Sequence, residues 1–111
     1  MQRQLKNAKM GIPTSVLTLV RAQCLDYERR TRIISNPNAE ETVKEKYIAL
    51  NRIIDEALSV VDCGIRMSLF RDIQLGRGYA HSPASPFLAK NTYYSRKRAL
   101  IRDIAIGFSL L

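Results

Sequence analysis

Between Glu41 and Asp62, apolar side chains recur at three- and four-residue steps: Val43, Tyr47, Leu50, Ile54, Leu58 and Val61. A period near 3.6 gathers all six on one side of a helix. The outer positions, with Lys44, Glu45, Lys46, Asn51, Arg52 and Glu56, are a solvated mixture of charge. A helix with a single apolar stripe must bury it against another element, so this stretch commits the chain to helix packing.

The preceding segment supplies a partner. "SVLTLVRAQCLDYERRTRII" carries Val16 and Leu17, Val20, Cys24, Tyr27 and Ile34 at the same spacing, with Arg21, Glu28, Arg29 and Arg32 opposite. Pro13 followed by Thr14 or Ser15 marks its start. Asn36-Pro37 ends it, because the proline ring disfavours helical geometry in the residue before it. Asn38 is the expected cap of the next helix, with Glu40 and Glu41 placing negative charge at its positive end. Two long helices joined by a short turn form an antiparallel hairpin over residues 14–62. The basic run "DYERRTR" is offset by its own acids and reads as a solvated or subunit-facing surface, which leaves a homodimer through the hairpin open.

Asp62-Cys63-Gly64 breaks the second helix, and "IRMSLFRDIQL" predicts a shorter third one with Ile65, Leu69, Phe70 and Ile73 facing inward. Gly76 and Gly78 end it. In "HSPASPFLA", serine before proline occurs twice, a helix-start signature that predicts a short helix from Pro83 or Pro86 to about Ala89. Asn91 is the expected cap of a last helix over 92–108. No strand pattern stands out, so the fold class is all-α: a hairpin, a shorter helix, and a C-terminal helix-turn-helix over residues 64–111. With 111 residues the chain is one domain with one core. Residues 1–10 are polar and basic and read as frayed or as a loosely held first turn.

Charge is the strongest global signal. The formal net charge is +8, which favours a polyanionic partner. The stretch 11–75 is neutral, nine basic residues against nine acidic. Residues 90–102, by contrast, hold Lys90, Arg96, Lys97, Arg98 and Arg102 with no acid. With Tyr94 at the centre of the buried face, Ile101, Ile104, Ala105 and Phe108 fall beside it, Tyr93 and Leu100 lie on a flank, Arg98 sits at the boundary, and Thr92, Ser95, Arg96, Ala99, Arg102 and Asp103 fall outside. Small side chains let a helix approach a DNA groove, Arg pairs with guanine edges or grips phosphates, and Thr or Ser accepts a place beside a phosphate oxygen. Thr92, Ser95, Arg96 and Arg102 are therefore the candidate groove contacts. Lys90, Lys97, Arg98 and Arg77 are the candidate phosphate contacts, and Tyr93 is counted with the DNA-binding set. Arg77, Tyr79 and His81 are further candidates for a wing-like loop.

The pattern of an apolar turn, a polar turn residue, Thr92-Tyr93-Tyr94, the basic run Arg96-Lys97-Arg98, then Ile101, Ile104 and Ala105 resembles the C-terminal helix-turn-helix of ArpU-type and RinA-type late-transcription activators. These are small regulators of phages that infect Gram-positive bacteria, and their last module is similar to the promoter-reading region of sigma factors. The resemblance covers about residues 65–111. It implies a regulator that binds double-stranded promoter DNA in the bacterial host cytoplasm and recruits host RNA polymerase. One departure stands in the sequence: "HSPASPFLA" occupies the place of a first motif helix of two full turns.

Other chemistry finds little footing. His81 is the only histidine, with no nucleophile or carboxylate at a telling spacing, and no nucleotide, metal or paired-carboxylate motif is present. The expectation is a non-enzyme without cofactor or metal. Cys24 and Cys63 lack CxxC spacing and read as reduced, partly buried thiols. No apolar run approaches the roughly 18–20 residues that span a bilayer, which predicts no membrane partner. Two other functions remain open beside the regulator: a helical interaction module acting as adaptor or derepressor, and a packaging accessory that binds DNA without sequence preference.

Overall fold

A computed structural model of the chain describes residues 11–111, so the expected frayed turn over residues 1–10 lies outside the described part. Four α-helices follow: α1 (Thr14–Ile34), α2 (Glu41–Ser59), α3 (Arg66–Leu75) and α4 (Lys90–Gly107). A single 3₁₀ turn, Tyr79–His81, stands between α3 and α4. Among the described residues there is no strand, and no helix is long and apolar enough to cross a membrane. The fold class is all-α.

The stripes define one core. Val16, Val20 and Cys24 from α1 meet Ile54, Ala57 and Leu58 from α2, Leu69, Phe70 and Ile73 from α3, and Leu100, Ile101 and Ile104 from α4. Each such Leu, Ile or Val contributes about 1.5–3 kcal/mol by leaving water. Tyr27 stands edge-on to Phe70, with ring centroids 5.5 Å apart. Gly107 lets α4 approach α2 closely, since a Cβ there would collide with the Ile53 side chain.

Helix ends differ from the sequence reading at three places. Asn38 does not cap α2: the helix begins at Glu41 with Glu40 at the N-cap and no side-chain cap bond. Asn36 does the polar work of this turn, its Oδ1 accepting the Asn38 N–H at 2.9 Å. Asn91 lies inside the first turn of α4, whose N-cap is Ala89. The short helix expected between Pro83 and Ala89 is replaced by successive tight turns. Two prolines without N–H groups cannot sustain the i to i−4 ladder. The segment closes instead on Ser85 N–H to Ser82 O and Phe87 N–H to Ala84 O, at 3.1 and 3.0 Å. By contrast α3 ends where glycine was expected, with Gly76 left-handed at φ 67° and the Arg21 guanidinium beside it, its Nε donating to the Gln74 carbonyl at 2.9 Å. A cation at that end complements the helix dipole.

The join between α1 and α2 carries a polar core that periodicity does not reveal. Arg30, expected on the solvated "DYERRTR" surface, is 1% exposed. Its Nε donates to Asn51 Oδ1 at 2.6 Å, and its terminal nitrogens reach Gln23 Oε1, the Gln23 carbonyl and Asp26. Asn51 in turn donates to Thr31 Oγ1 and the Tyr27 carbonyl. Four helical steps along, the Tyr27 hydroxyl donates to Asp55 Oδ1 at 2.6 Å. The pairs 30–51 and 27–55 step in opposite senses, so the two helices run antiparallel across this contact. A buried guanidinium is tolerated only with such a full set of acceptors.

Asn51→Ala removes the Nε acceptor of a buried cation. The expected loss is about 1–3 kcal/mol, seen in urea unfolding as a lower midpoint at unchanged slope.

Candidate nucleic-acid interface

The sequence places the surplus of positive charge on α4, and the packing of α4 decides which of those residues meet solvent. Tyr93, Leu100, Ile101, Ile104 and Ala105 form its buried side. Tyr93 is fully buried, whereas Tyr94, expected at the centre of the core face, is 39% exposed. The helix is thus rotated from the expected orientation, and the cause is a carboxylate on α3. Asp72 is 0% exposed and needs donors. The Tyr93 hydroxyl donates to its Oδ2 at 2.8 Å, and Arg77 Nε donates to its Oδ1 at 2.9 Å. Tyr93, expected among the DNA-binding residues, instead lies behind the surface as the pin between α4 and α3. Burial and the bond to Asp72 push its phenol well above the ordinary range.

Lys97, expected to meet a phosphate, is also drawn inward. Its stem runs across the buried side, and its amine donates to the Arg77 carbonyl at 2.6 Å, within 5.7 Å of the Tyr93 ring centre. Burial lowers its pKa, with Asp72 opposing. It borders a hollow of about 190 Å³ with Arg21, Asp72 and Gly76. An amine so engaged holds the 76–81 loop against α4 and is poorly placed as an outer phosphate contact. Arg77 is half-buried through its own bond to Asp72. The wing-like loop is also turned inward in part. The Tyr79 hydroxyl lies 2.6 Å from the Leu88 carbonyl and 3.0 Å from that of Ser85, while its N–H donates to the Tyr94 hydroxyl at 3.3 Å. His81 remains exposed.

The other candidates lie outward. Ser95, Arg96, Arg98 and Arg102 are exposed on α4, as is Lys90 in its first turn, while Thr92 is half-buried. Advancing 100° per residue, Ser95 and Arg102 fall near the centre of the outer face, with Arg98 on the flank toward the loop and Arg96 on the flank toward α2. Arg96 borders a shallow hollow with Val60, Val61, Ala99 and Asp103. Arg102 reaches back toward the start of the described chain, its guanidinium 3.3 Å from where a Cβ on Gly11 would stand. The helix start carries no side-chain cap and no acid in its first turn. No acid occurs anywhere between Asp72 and Asp103. Such a surface holds cations, small side chains and unopposed helix amides, which suits oxygen-rich anions.

Two residues central to this site were overlooked in the sequence. Asp72 falls on the stripe with Leu69 and Ile73, and an acid on an apolar stripe is a signal for a buried partner. Phe87 falls inside the expected 83–89 helix, where nothing in the spacing marks it; it is 78% exposed on the turn that leads into α4. Of the cysteines, Cys24 is buried and Cys63 exposed, both free. Among the described residues no group of His, Cys, Asp and Glu is arranged to hold a metal ion. Comparison with protein-family models, with curated proteins and with solved structures finds no match.

Half-buried Tyr27 and buried Tyr93 tie stability to alkaline pH. Burial and the bond to Asp55 push Tyr27 up to about 12 from an ordinary 10.0, and Tyr93 moves the same way. The native state then keeps protons that the unfolded chain loses, so their contribution is whole below pH 10 and falls as pH rises toward 12. Denaturant unfolding between pH 9 and 11.5 should show this decline, and a Tyr27→Phe, Tyr93→Phe double variant should flatten it while being less stable at neutral pH.

Proposed function

We propose that this protein binds double-stranded DNA through the outer face of α4 and acts as a regulator of transcription, with recruitment of RNA polymerase as its output. One observation carries the reading: the cations Lys90, Arg96, Arg98 and Arg102 stand exposed around Ser95 and Ala99, with Asp103 as the one exposed acid of the helix, and the other side of that helix is pinned into the core. Arginines flanking small residues on a rigid helix suit both groove and backbone contacts. The sequence resemblance to phage late-transcription activators supplies the regulatory part of the proposal.

The route to DNA differs from a tight helix-turn-helix. Fourteen residues separate α3 from α4, and a braced turn with a 3₁₀ element stands where a first motif helix would be. In this reading Tyr93, Lys97 and Arg77 set the orientation of α4, and Ser95, Arg96, Arg98, Arg102 and Lys90 touch DNA. Thr92, half-buried, takes a marginal place.

Binding to upstream fragments of the source genome, against random DNA and at two salt concentrations, tests this. Neutralising four or five phosphates gives a slope of log affinity against log salt near about −4. Arg96→Ala and Arg102→Ala should each lose about 1–3 kcal/mol and relax sequence discrimination, whereas Lys90→Ala should weaken all fragments alike and reduce the slope by about 1. Equal affinity for every fragment would favour a packaging role, and no binding at low salt would favour a protein adaptor.

A further inference from the structure

We propose that Phe87 is a wedge that inserts its ring between base pairs of the duplex at the edge of the α4 footprint. This rests on the DNA-binding reading of α4 and adds a contact that the reading does not require. At 78% exposed, Phe87 leaves more of a large aromatic side chain in water than any other residue described. Water contact of this extent costs an isolated phenyl its hydrophobic gain, and a pliant loop would fold the ring back onto the protein.

This loop is not free to do so. Ala84 is buried as an anchor, and its N–H donates to Ser82 Oγ at 3.1 Å. Phe87 N–H is held by the Ala84 carbonyl at 3.0 Å, and the carbonyls on either side, of Ser85 and Leu88, are tied by the Tyr79 hydroxyl. Pro83 and Pro86 fix two further backbone angles. Leu88 turns inward onto the core while Phe87 turns out. The result is a stiff turn that presents one flat ring.

The surroundings select the kind of partner. Val60 is as exposed as Phe87, but it stands beside Asp103 and close in sequence to Glu56 and Asp62. Phe87 lies within the stretch between Asp72 and Asp103 that contains no acid, and its exposed neighbours in the chain are Pro86, Ala89 and Lys90. A single ring flanked in the chain by two small apolar residues and Lys90, in a stretch without acids, offers little area for a protein-docking patch. It fits a polyanion with stackable faces. Lys90 follows three residues later, within about 11 Å of extended chain, which allows a ring at a base step and an ammonium at a flanking phosphate. Apolar wedges of this kind unstack a step and bend the duplex by about 20–90°.

The sequence contains no tryptophan, so a Phe87→Trp variant carries one indole whose emission reports on this position alone. Titrating duplex DNA into the Phe87→Trp variant should quench that emission. Phe87→Ala should weaken duplex binding by roughly 5- to 100-fold, the range for lost base–aromatic stacking. Its circular dichroism and urea midpoint should stay unchanged, because the ring is exposed. Energy transfer between dyes at the two duplex ends should show a bend with the unaltered protein and none with Phe87→Ala. Unquenched emission in the bound Phe87→Trp complex, with full affinity and bending for Phe87→Ala, would overturn the wedge and leave the α4 reading standing. Tighter binding and deeper quenching by a single-stranded oligonucleotide would overturn insertion into duplex in favour of stacking on unpaired bases. Absence of any DNA binding by the unaltered protein, at low salt, would remove the α4 reading and the wedge together.

Discussion

A carboxylate removed from water determines how the candidate surface is oriented. Asp72 is completely buried, and such a group persists only where donors reach both of its oxygens. Tyr93 from α4 and Arg77 from the loop after α3 are those donors. Because the three residues belong to three segments, satisfying one charge fixes the rotation of α4, the path of the loop and the distance between α3 and α4. Lys97 closes the same assembly from the other side by bonding the Arg77 carbonyl. Everything outward on α4 follows from everything thus held inward.

The polar core between α1 and α2 works by the same rule at the far side of the molecule. Arg30 is enclosed by Gln23, Asp26 and Asn51, so a cation sits where a leucine would have sufficed for burial. Directional bonds of this type specify register, since sliding α2 by one turn would strand the guanidinium. Apolar contacts alone tolerate such a slip far better. Gln74 repeats the pattern between α3 and α1. Its Nε2 lies 2.8 Å from the Cys24 carbonyl and within reach of the Glu28 carboxylate. Turning the amide over would set its oxygen against both acceptors, so its orientation is fixed.

What the sequence discloses and what it conceals divide along the same line. The stripe Ile54–Leu58, the run Val16–Val20–Cys24 and the trio Leu69, Phe70 and Ile73 are legible because hydrophobic burial depends on spacing within one helix. The left-handed glycine ending α3 is legible because the requirement is local. The exchange of Tyr93 for Tyr94 as the inward residue is not, since the two are adjacent and alike, and the deciding carboxylate is 21 residues away. Arg30 is concealed for a related reason: its acceptors lie on two helices, and a charged residue in isolation reads as solvated. The Pro83–Leu88 segment misleads differently. Serine before proline does start helices, but here the Tyr79 hydroxyl takes the carbonyls that a helix would use.

The charge distribution follows from this division. Nine basic and nine acidic residues cancel over 11–75, where Asp26 pairs with Arg29 and Arg30 within α1 and Glu28 pairs with Arg71 of α3. The thirty residues between Asp72 and Asp103 contain no acid of their own, so the folded state gathers like charges on α4 and carries part of their repulsion. Asp103, exposed one turn beyond Ala99, is the acid that this face does carry, and it borders the same hollow as Arg96. Neither the like charge gathered on α4 nor the ring that the turn before it holds in water adds to the packing of the core, so both are carried at the expense of the stability that the buried side of α4 supplies.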